Sequence, residues 1–341
     1  MIFIYLFKDL FFYIKYKYNE KKFNIGFFCE NEFILNYLSP YIENKKNKPI
    51  LIISFEKIKN KFNRNIQIYI FKTNFFRELI FLTLKLKYLY SSTPDLDNTI
   101  FKKTKFSRCK YIYIQHSPVS LNLIYRENAF DNFDAIQTIS KFQNKEIKEI
   151  IKMRGLNLKV FKSKYRFIEK NINHQSLYKK YDLLIAPSWN TNFYKLNCHK
   201  ILHEQLTKQL ISYKLRPHPM SIKKKEISKE EIEKLGIALD KSKLINLNEF
   251  NFLISDWSGI FIEYALVNKK KSFLINTPKK NNNYKYQNYT NLPIEISKRE
   301  LFGKIFNIKN LNNLVNEIVN EKKKFQQNDS EIVKFIEENF Y

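Results

Sequence analysis

Between Asn251 and Leu266 the chain runs Asn-Phe-Leu-Ile-Ser-Asp-Trp-Ser-Gly-Ile-Phe-Ile-Glu-Tyr-Ala-Leu. Phe252-Leu253-Ile254 is the short apolar run that a buried parallel strand needs. Ser255, Asp256 and Ser258 follow, residue types that cap helices, and Gly259 lacks the Cβ that would hold a ligand off the backbone. A helical pattern then begins, with Ile260, Phe261, Tyr264 and Ala265 apolar and Glu263 about one turn in. Strand, small polar turn and helix N-terminus make an anion site, because free N–H groups and the helix dipole point at whatever lies above the turn. Glu263 is placed to accept hydrogen bonds from hydroxyls beside a bound phosphate, such as those of a ribose. The expectation is a nucleotide-diphosphate donor site; the plainer alternative is an ordinary capped helix with Glu263 solvated or ion-paired.

Two histidines sit where chemistry is displayed. His116 follows the apolar run Tyr111–Gln115 and precedes a Ser117-Pro118 turn. A neutral imidazole there can take a proton from an attacking hydroxyl near pH 7. His218 lies in Arg216-Pro217-His218-Pro219, where the prolines hold the loop extended and a guanidinium and an imidazole two residues apart can hold a phosphate. Ser188, in Pro187-Ser188-Trp189-Asn190, and Lys279, in Thr277-Pro278-Lys279-Lys280, are further candidates. His174 lies in a polar stretch. His199 and His203 share one helix face, but with no third ligand nearby they read as surface residues and no metal is expected. Gly-rich phosphate loops, a Gly-x-Ser-x-Gly elbow and paired acidic metal motifs are absent, and no cofactor is expected.

The elements that must position these groups follow a βα rhythm. Strands are expected at Phe23–Cys29, Pro49–Phe55, Ile66–Phe71, Tyr88–Ser91, Tyr111–Gln115 and Phe133–Thr138, with helices at Glu32–Tyr41, Phe75–Leu86 and Lys141–Met153. After a polar segment, Glu169–Lys180, a second series begins. It has strands at Asp182–Ala186, Leu210–Leu215, Leu244–Leu247, Phe252–Ile254 and Ser272–Ile275, and helices at Lys195–Lys208, Leu311–Glu321 and Asp329–Asn339. Ser221–Leu235 is expected as loop then helix, and 281–293 as loop. The fold class is therefore α/β, as two doubly wound domains facing across a cleft, and every candidate above lies at a strand's expected carboxyl end, where such sheets bind ligands. The expected organisation is an interfacial helix at 1–20, a Rossmann-like domain at 21–172, a second at 173–310 that carries the donor-nucleotide site, and closing helices at 311–341; the resemblance given below implies that the first is the acceptor domain.

Composition narrows the partners. Sixty Lys and Arg against 33 Asp and Glu give a formal charge of +27, but the lysines are spread evenly and no nucleic-acid module is present, so no dedicated nucleic-acid function is expected. So basic a surface favours anionic partners, phospholipid headgroups or phosphate-bearing substrates. Three scattered cysteines, Cys29, Cys109 and Cys198, point to a reducing compartment. The first eighteen residues are apolar and aromatic but broken by Lys8 and Asp9, too short to span a bilayer and without a small-residue cleavage site. They suit a helix resting on an anionic membrane face, or one docked on the domain core.

Gln115-His116, Arg216-Pro217-His218-Pro219, Ser255-Asp256-Trp257-Ser258-Gly259 with Glu263-Tyr264-Ala265, and Phe273–Pro278 with Lys279-Lys280 together resemble the CDP-glycerol glycerophosphotransferases, the teichoic-acid primases and polymerases and their relatives in capsule and surface-glycan loci. The resemblance covers about 105–295 and implies a GT-B fold (two Rossmann-like domains) at the cytoplasmic face of the cell membrane. It implies a CDP-activated polyol donor and a glycan or glycolipid acceptor, with glycerol phosphate transferred and CMP released. His116 would be the base, Arg216 and His218 would stabilise the donor phosphates, Ser258 and Gly259 would bind phosphate, and Glu263 would lie near the donor's sugar. Ser117-Pro118 departs from the Gly that many members place after the first His, and the shortness of the chain argues against a processive polymerase. Two other readings keep parts of this: a GT-B glycosyltransferase or UDP-N-acetylglucosamine 2-epimerase using a UDP-sugar, and a non-catalytic polyanion- or membrane-binding protein.

Overall fold

A computed structural model describes residues 2–45, 47–59, 65–173, 179–242, 245–324 and 327–341, so His174 lies outside the described residues. The chain divides into two compact units, one of residues 1–116, 125–167 and 341, the other of 117–124 and 168–340.

The first unit holds seven parallel strands: β1 (Ile25–Cys29), β2 (Ile50–Ser54), β3 (Ile66–Ile70), β4 (Tyr88–Ser91), β5 (Lys110–Tyr113), β6 (Ala135–Thr138) and β7 (Lys159–Lys162). Their order is β3-β2-β1-β4-β5-β6-β7. β1 and β2 are buried at every residue, as a parallel strand covered on both faces must be. Helices α1 (Ile2–Asn19), α2 (Glu32–Glu43), α3 (Asn74–Leu82) and α4 (Lys141–Arg154) cover the sheet, and α5 (Arg166–Asn173) begins at the boundary of the two units. α4 begins where Ser140 accepts from the Gln143 N–H and ends at Gly155, whose φ of 62° only glycine adopts cheaply.

α1 is docked by one face and bare on the other. The wholly buried Asp9 accepts from the N–H groups of Lys72 and Thr73 and from the Thr73 hydroxyl, so it satisfies the entrance to α3 while pinning α1. Tyr16 is wholly buried, and its hydroxyl accepts from the Lys85 N–H at 2.9 Å. Phe3, Phe7, Phe11, Ile14 and Tyr18 recur at helical spacing and are 58–86% exposed. No helix among the described residues is long and apolar enough to cross a membrane.

The second unit holds β8 (Tyr181–Ile185), β9 (Tyr213–Leu215), β10 (Phe250–Ser255), β11 (Ser272–Ile275) and β12 (Gly303–Phe306), all parallel, in the order β12-β11-β10-β8-β9. Its helices are α6 (Cys198–Lys208), α7 (Pro219–Lys223), α8 (Lys229–Lys234), α9 (Ile260–Asn268), α10 (Ile294–Ser297), α11 (Arg299–Phe302), α12 (Leu311–Lys322) and α13 (Ser330–Asn339). Strand order reverses between β8 and β10, and in open α/β sheets the crevice beyond the carboxyl ends at such a reversal is where ligands bind.

Several elements depart from expectation for local reasons. β5 stops at Tyr113, because Gln115 leaves the ladder and pairs its amide with Gln137 instead. α6 starts at Cys198 and not Lys195, since Asn197 is left-handed with φ 55°. β9 shrinks to Tyr213–Leu215 beyond the left-handed Leu210. The strand expected over Leu244–Leu247 is not found: Leu244 is outside the described residues, and Leu247 opens a 3₁₀ turn, Leu247–Glu249. β7 and β12 were not expected, being four-residue edge strands that are largely exposed.

Candidate functional site

The turn after β10 is built around Asp256, which is wholly buried. One carboxylate oxygen accepts from the Ser188 N–H at 2.7 Å and the Trp257 N–H at 2.6 Å. The other accepts from the hydroxyls of Thr191 at 2.6 Å and Thr277 at 3.4 Å. Asp256 thus ties together the carboxyl ends of β8, β10 and β11. Burial pushes its carboxyl up from the ordinary range, while these donors and the Arg299 guanidinium act against that shift. Ser255 donates its hydroxyl to the Ala186 carbonyl at 2.8 Å. Both residues were expected on the donor; the structure commits them to holding the strand ends in register.

Arg299 completes the knot. Its guanidinium donates to the carbonyls of Asp256 at 2.8 Å and Ile275 at 3.2 Å, and lies 3.9 Å from the centre of the Trp257 ring. Nothing in Ser-Lys-Arg-Glu at 297–300 marks it in sequence, because its partners are backbone carbonyls distant along the chain.

Ser258 and Gly259, by contrast, are partly exposed at the mouth of α9, and no side chain caps that helix. The N–H groups of Phe261 and Ile262 in its first turn are taken by the carbonyls of Ser258 and Gly259, at 3.4 and 3.1 Å. A Cβ on Gly259 would meet Ser117 Oγ at 2.4 Å and Val119 Cγ1 at 2.5 Å. The glycine serves close packing against the 117–124 segment, a different reason from the ligand approach expected. That segment is pinned by Glu295, wholly buried, which accepts from the Ser120 N–H at 2.9 Å and from its hydroxyl. α9 itself is apolar all round, and Glu263 is buried in its first turn at 5% exposure.

Three cationic or protonatable groups surround Trp189, just beyond β8. Lys224 Nζ lies 4.3 Å and Lys280 Nζ 5.0 Å from its ring centre, and the His218 ring 6.4 Å away. His218 caps α7 by accepting the Met220 N–H at Nδ1, 3.1 Å. That bond places the ring proton on Nε2 and makes Nε2 a donor. Lys280 is only 8% exposed, and its ammonium makes no hydrogen bond to any described residue. Burial pulls its pKa down to about 8, with Asp256, Glu295 and Glu226 acting the other way. Lys279, its neighbour in the expected pair, is exposed and donates to the Tyr286 hydroxyl at 2.9 Å. Arg216 is turned aside: its guanidinium donates to Asp240 at 2.5 Å and to the Ser242 carbonyl and hydroxyl. Ser188 is buried with its hydroxyl unpaired among the described residues.

In the first unit, His116 is half-buried three residues past β5. Its Nδ1 lies 3.3 Å from the Tyr113 hydroxyl, which also reaches the Tyr125 hydroxyl at 3.1 Å, and its carbonyl accepts from Tyr165 at 2.9 Å. With the Tyr113 proton given to Tyr125, the Tyr113 oxygen accepts Nδ1–H and Nε2 becomes the basic nitrogen. His199, expected at the surface, is buried at 3% exposure, and no cluster of metal-ligating residues occurs among the described residues.

No protein-family model matches the chain, and no curated protein matches it by sequence. Solved structures do. A structure of the wall teichoic acid polymerase TagF aligns over 94% of this chain and 85% of its own, at TM-score 0.59 and 14% identity. A second TagF structure aligns over 97% and 88%, at 0.59 and 13%. The chain has the GT-B fold. A UDP-N-acetylglucosamine 2-epimerase from Rickettsia bellii aligns over 76% of this chain and 80% of its own at TM-score 0.46 and 12% identity, too slight a likeness to argue from.

Proposed function

We propose that the protein is a transferase that moves glycerol phosphate from CDP-glycerol to a hydroxyl of a glycan or glycolipid acceptor and releases CMP. The observation that carries this reading is the cluster at Trp189: Lys280, a residue only 8% exposed whose ammonium has no hydrogen-bond partner among the described residues, with Lys224 and the His218 ring on the same indole. A buried cation of this kind is stabilised by an anion, and a diphosphate supplies one at the strand reversal where a donor belongs. Ser258 and Gly259, partly exposed at the mouth of α9, lie where a phosphate would approach, and Glu263 follows one turn on. Asp256, Ser255 and Ser188 shape the turn, and Arg216 fixes the loop carrying His218.

In this reaction the acceptor oxygen forms a bond to the β-phosphorus while the bond to the bridging oxygen breaks, and CMP leaves. The acceptor's proton passes to Nε2 of His116, and Lys280 and His218 stabilise the charge on the phosphates. Positioning and charge stabilisation are the main work of phosphoryl transfer. The bare face of α1, set in so cationic a chain, fits an anionic membrane surface that presents a lipid-linked acceptor.

The test is transfer of labelled glycerol from CDP-glycerol to a lipid-extract acceptor, with CDP-ribitol and UDP-sugars run alongside. Transfer from CDP-glycerol, lost in His116→Ala, is expected. Transfer only from a UDP-sugar would contradict the donor and keep the fold.

A further inference from the structure

Beside His116 the first unit buries two phenol hydroxyls that packing alone does not call for. Tyr113, the last residue of β5, is wholly buried, and Tyr125 is 6% exposed. Their rings lie in apolar surroundings: Phe130 is 4.9 Å from the Tyr113 ring and 5.0 Å from the Tyr125 ring, and Phe133 is 5.4 Å from Tyr113. Phenylalanine would fill either place, and a hydroxyl taken from water into such a site costs free energy unless it is hydrogen-bonded. The Tyr113 oxygen lies 3.1 Å from the Tyr125 hydroxyl and 3.3 Å from His116 Nδ1, so it is held between the two.

The path of the chain explains why these three meet. The polypeptide leaves the first unit after His116 and re-enters it at Tyr125, the intervening 117–124 segment belonging to the second. Exit and return are joined inside the first unit through Tyr113, which fixes Tyr125 behind the imidazole.

One proton decides what the histidine can do. Burial pushes the Tyr113 pKa well above the ordinary phenol value, with Tyr125 and the charge of Asp95 acting in the same sense, so Tyr113 stays neutral and has a single proton to give. Given to Nδ1, that proton forces the imidazole's own onto Nε2, which then donates and cannot act as a base. Given to Tyr125, it leaves the Tyr113 oxygen to accept Nδ1–H, and Nε2 is bare. Tyr125 makes the second arrangement available by offering Tyr113 an acceptor other than the imidazole. The other groups round the ring act elsewhere: Tyr37 meets it edge to face at 6.0 Å, the Tyr165 hydroxyl donates to the His116 carbonyl at 2.9 Å, and Arg126 lies 3.9 Å from Asp95.

We infer that Tyr113 and Tyr125 are positioning residues that hold the His116 proton on Nδ1 and keep Nε2 bare for the acceptor's proton. Their role in turnover rests on His116 being the base, as proposed above. Loss of the Tyr125 hydroxyl alone sends the Tyr113 proton to Nδ1 and does more harm than loss of both hydroxyls, an order that a packing role would not give.

The experiment is ¹⁵N NMR of the histidine rings in the full chain at about pH 8, above the ordinary imidazole pKa near 6.5, with His116→Gln to assign the signals and turnover of CDP-glycerol read beside it. Expected is a wild-type His116 protonated at Nδ1 and bare at Nε2. Tyr125→Phe should move the proton to Nε2 and lower kcat about 100-fold with KM for CDP-glycerol unchanged, the low end of what a general base contributes. Adding Tyr113→Phe to that variant should restore kcat about tenfold, because Nδ1 no longer receives a proton from Tyr113. A wild-type proton on Nε2, a tautomer unmoved by Tyr125→Phe, or a double variant slower than Tyr125→Phe would each overturn the inference. The expected tautomers in a chain that turns over no CDP-glycerol would uphold the proton placement and count against the donor reading alone.

Discussion

Lys280→Met puts the charge argument to a quantitative test. Methionine keeps most of the buried stem and removes the ammonium. In the folded chain burial brings the lysine pKa from 10.5 down to about 8. At about 1.4 kcal/mol per unit, holding the charged form in the fold costs about 3 kcal/mol at pH 7, which is a ceiling for what the substitution recovers. Below pH 8 both states bind the proton and the cost is paid in full. Between pH 8 and 10.5 the folded chain has shed the proton and the unfolded chain has not, so wild-type stability rises with pH. The advantage of Lys280→Met should therefore be largest at pH 7, several degrees of melting temperature, and fade by pH 10.5. The same substitution should weaken CDP binding by about 10- to 100-fold, the loss of a buried charge-assisted contact. Paired melts from pH 7 to 10.5 and a CDP titration read both. A variant less stable than wild type at pH 7, with unchanged CDP affinity, would refute the reasoning.

Gly259→Ala should cost about 1–3 kcal/mol in denaturant melts, since its Cβ would overlap Ser117 Oγ and Val119 Cγ1, and Ser117→Gly in the same chain should recover part of it. Asp256→Ala should cost about 3 kcal/mol or more, because it strips the Ser188 and Trp257 N–H groups and the Thr191 hydroxyl of a buried acceptor; a melting temperature equal to wild type would be the contrary result. Phe7→Asp with Phe11→Asp should abolish sedimentation with phosphatidylglycerol vesicles while the melt stays within about 0.5 kcal/mol of wild type, both side chains being exposed in the fold.

Much of the βα architecture was legible because buried parallel strands are continuous apolar runs. Ile50–Ser54 and Ser272–Ile275 are buried throughout, and sequence places them within a residue or two. Edge strands such as Lys159–Lys162 escaped, since half-exposed polar residues carry no such run. At the site, the strand-end positions were visible but the directions of the side chains were not. Arg216 and Asp256 have the right types for phosphate and strand-end chemistry, yet Arg216 turns to Asp240, whose partnership depends on a strand–loop contact 24 residues away. Of the adjacent lysines, Lys279 is exposed and Lys280 buried, a difference invisible in a chain this rich in lysine. His199 read as a surface residue because its neighbours in the helix are polar, and only tertiary packing buries it.

The central claim is a donor cleaved between its two phosphates, and ³¹P NMR of a reaction mixture containing the purified protein, CDP-glycerol and acceptor lipid tests it most directly. The account predicts the diphosphate resonances giving way to CMP and a phosphodiester with native protein, and no change with His116→Ala. A spectrum in which CDP-glycerol persists while a UDP-sugar in the same tube yields UDP would contradict it.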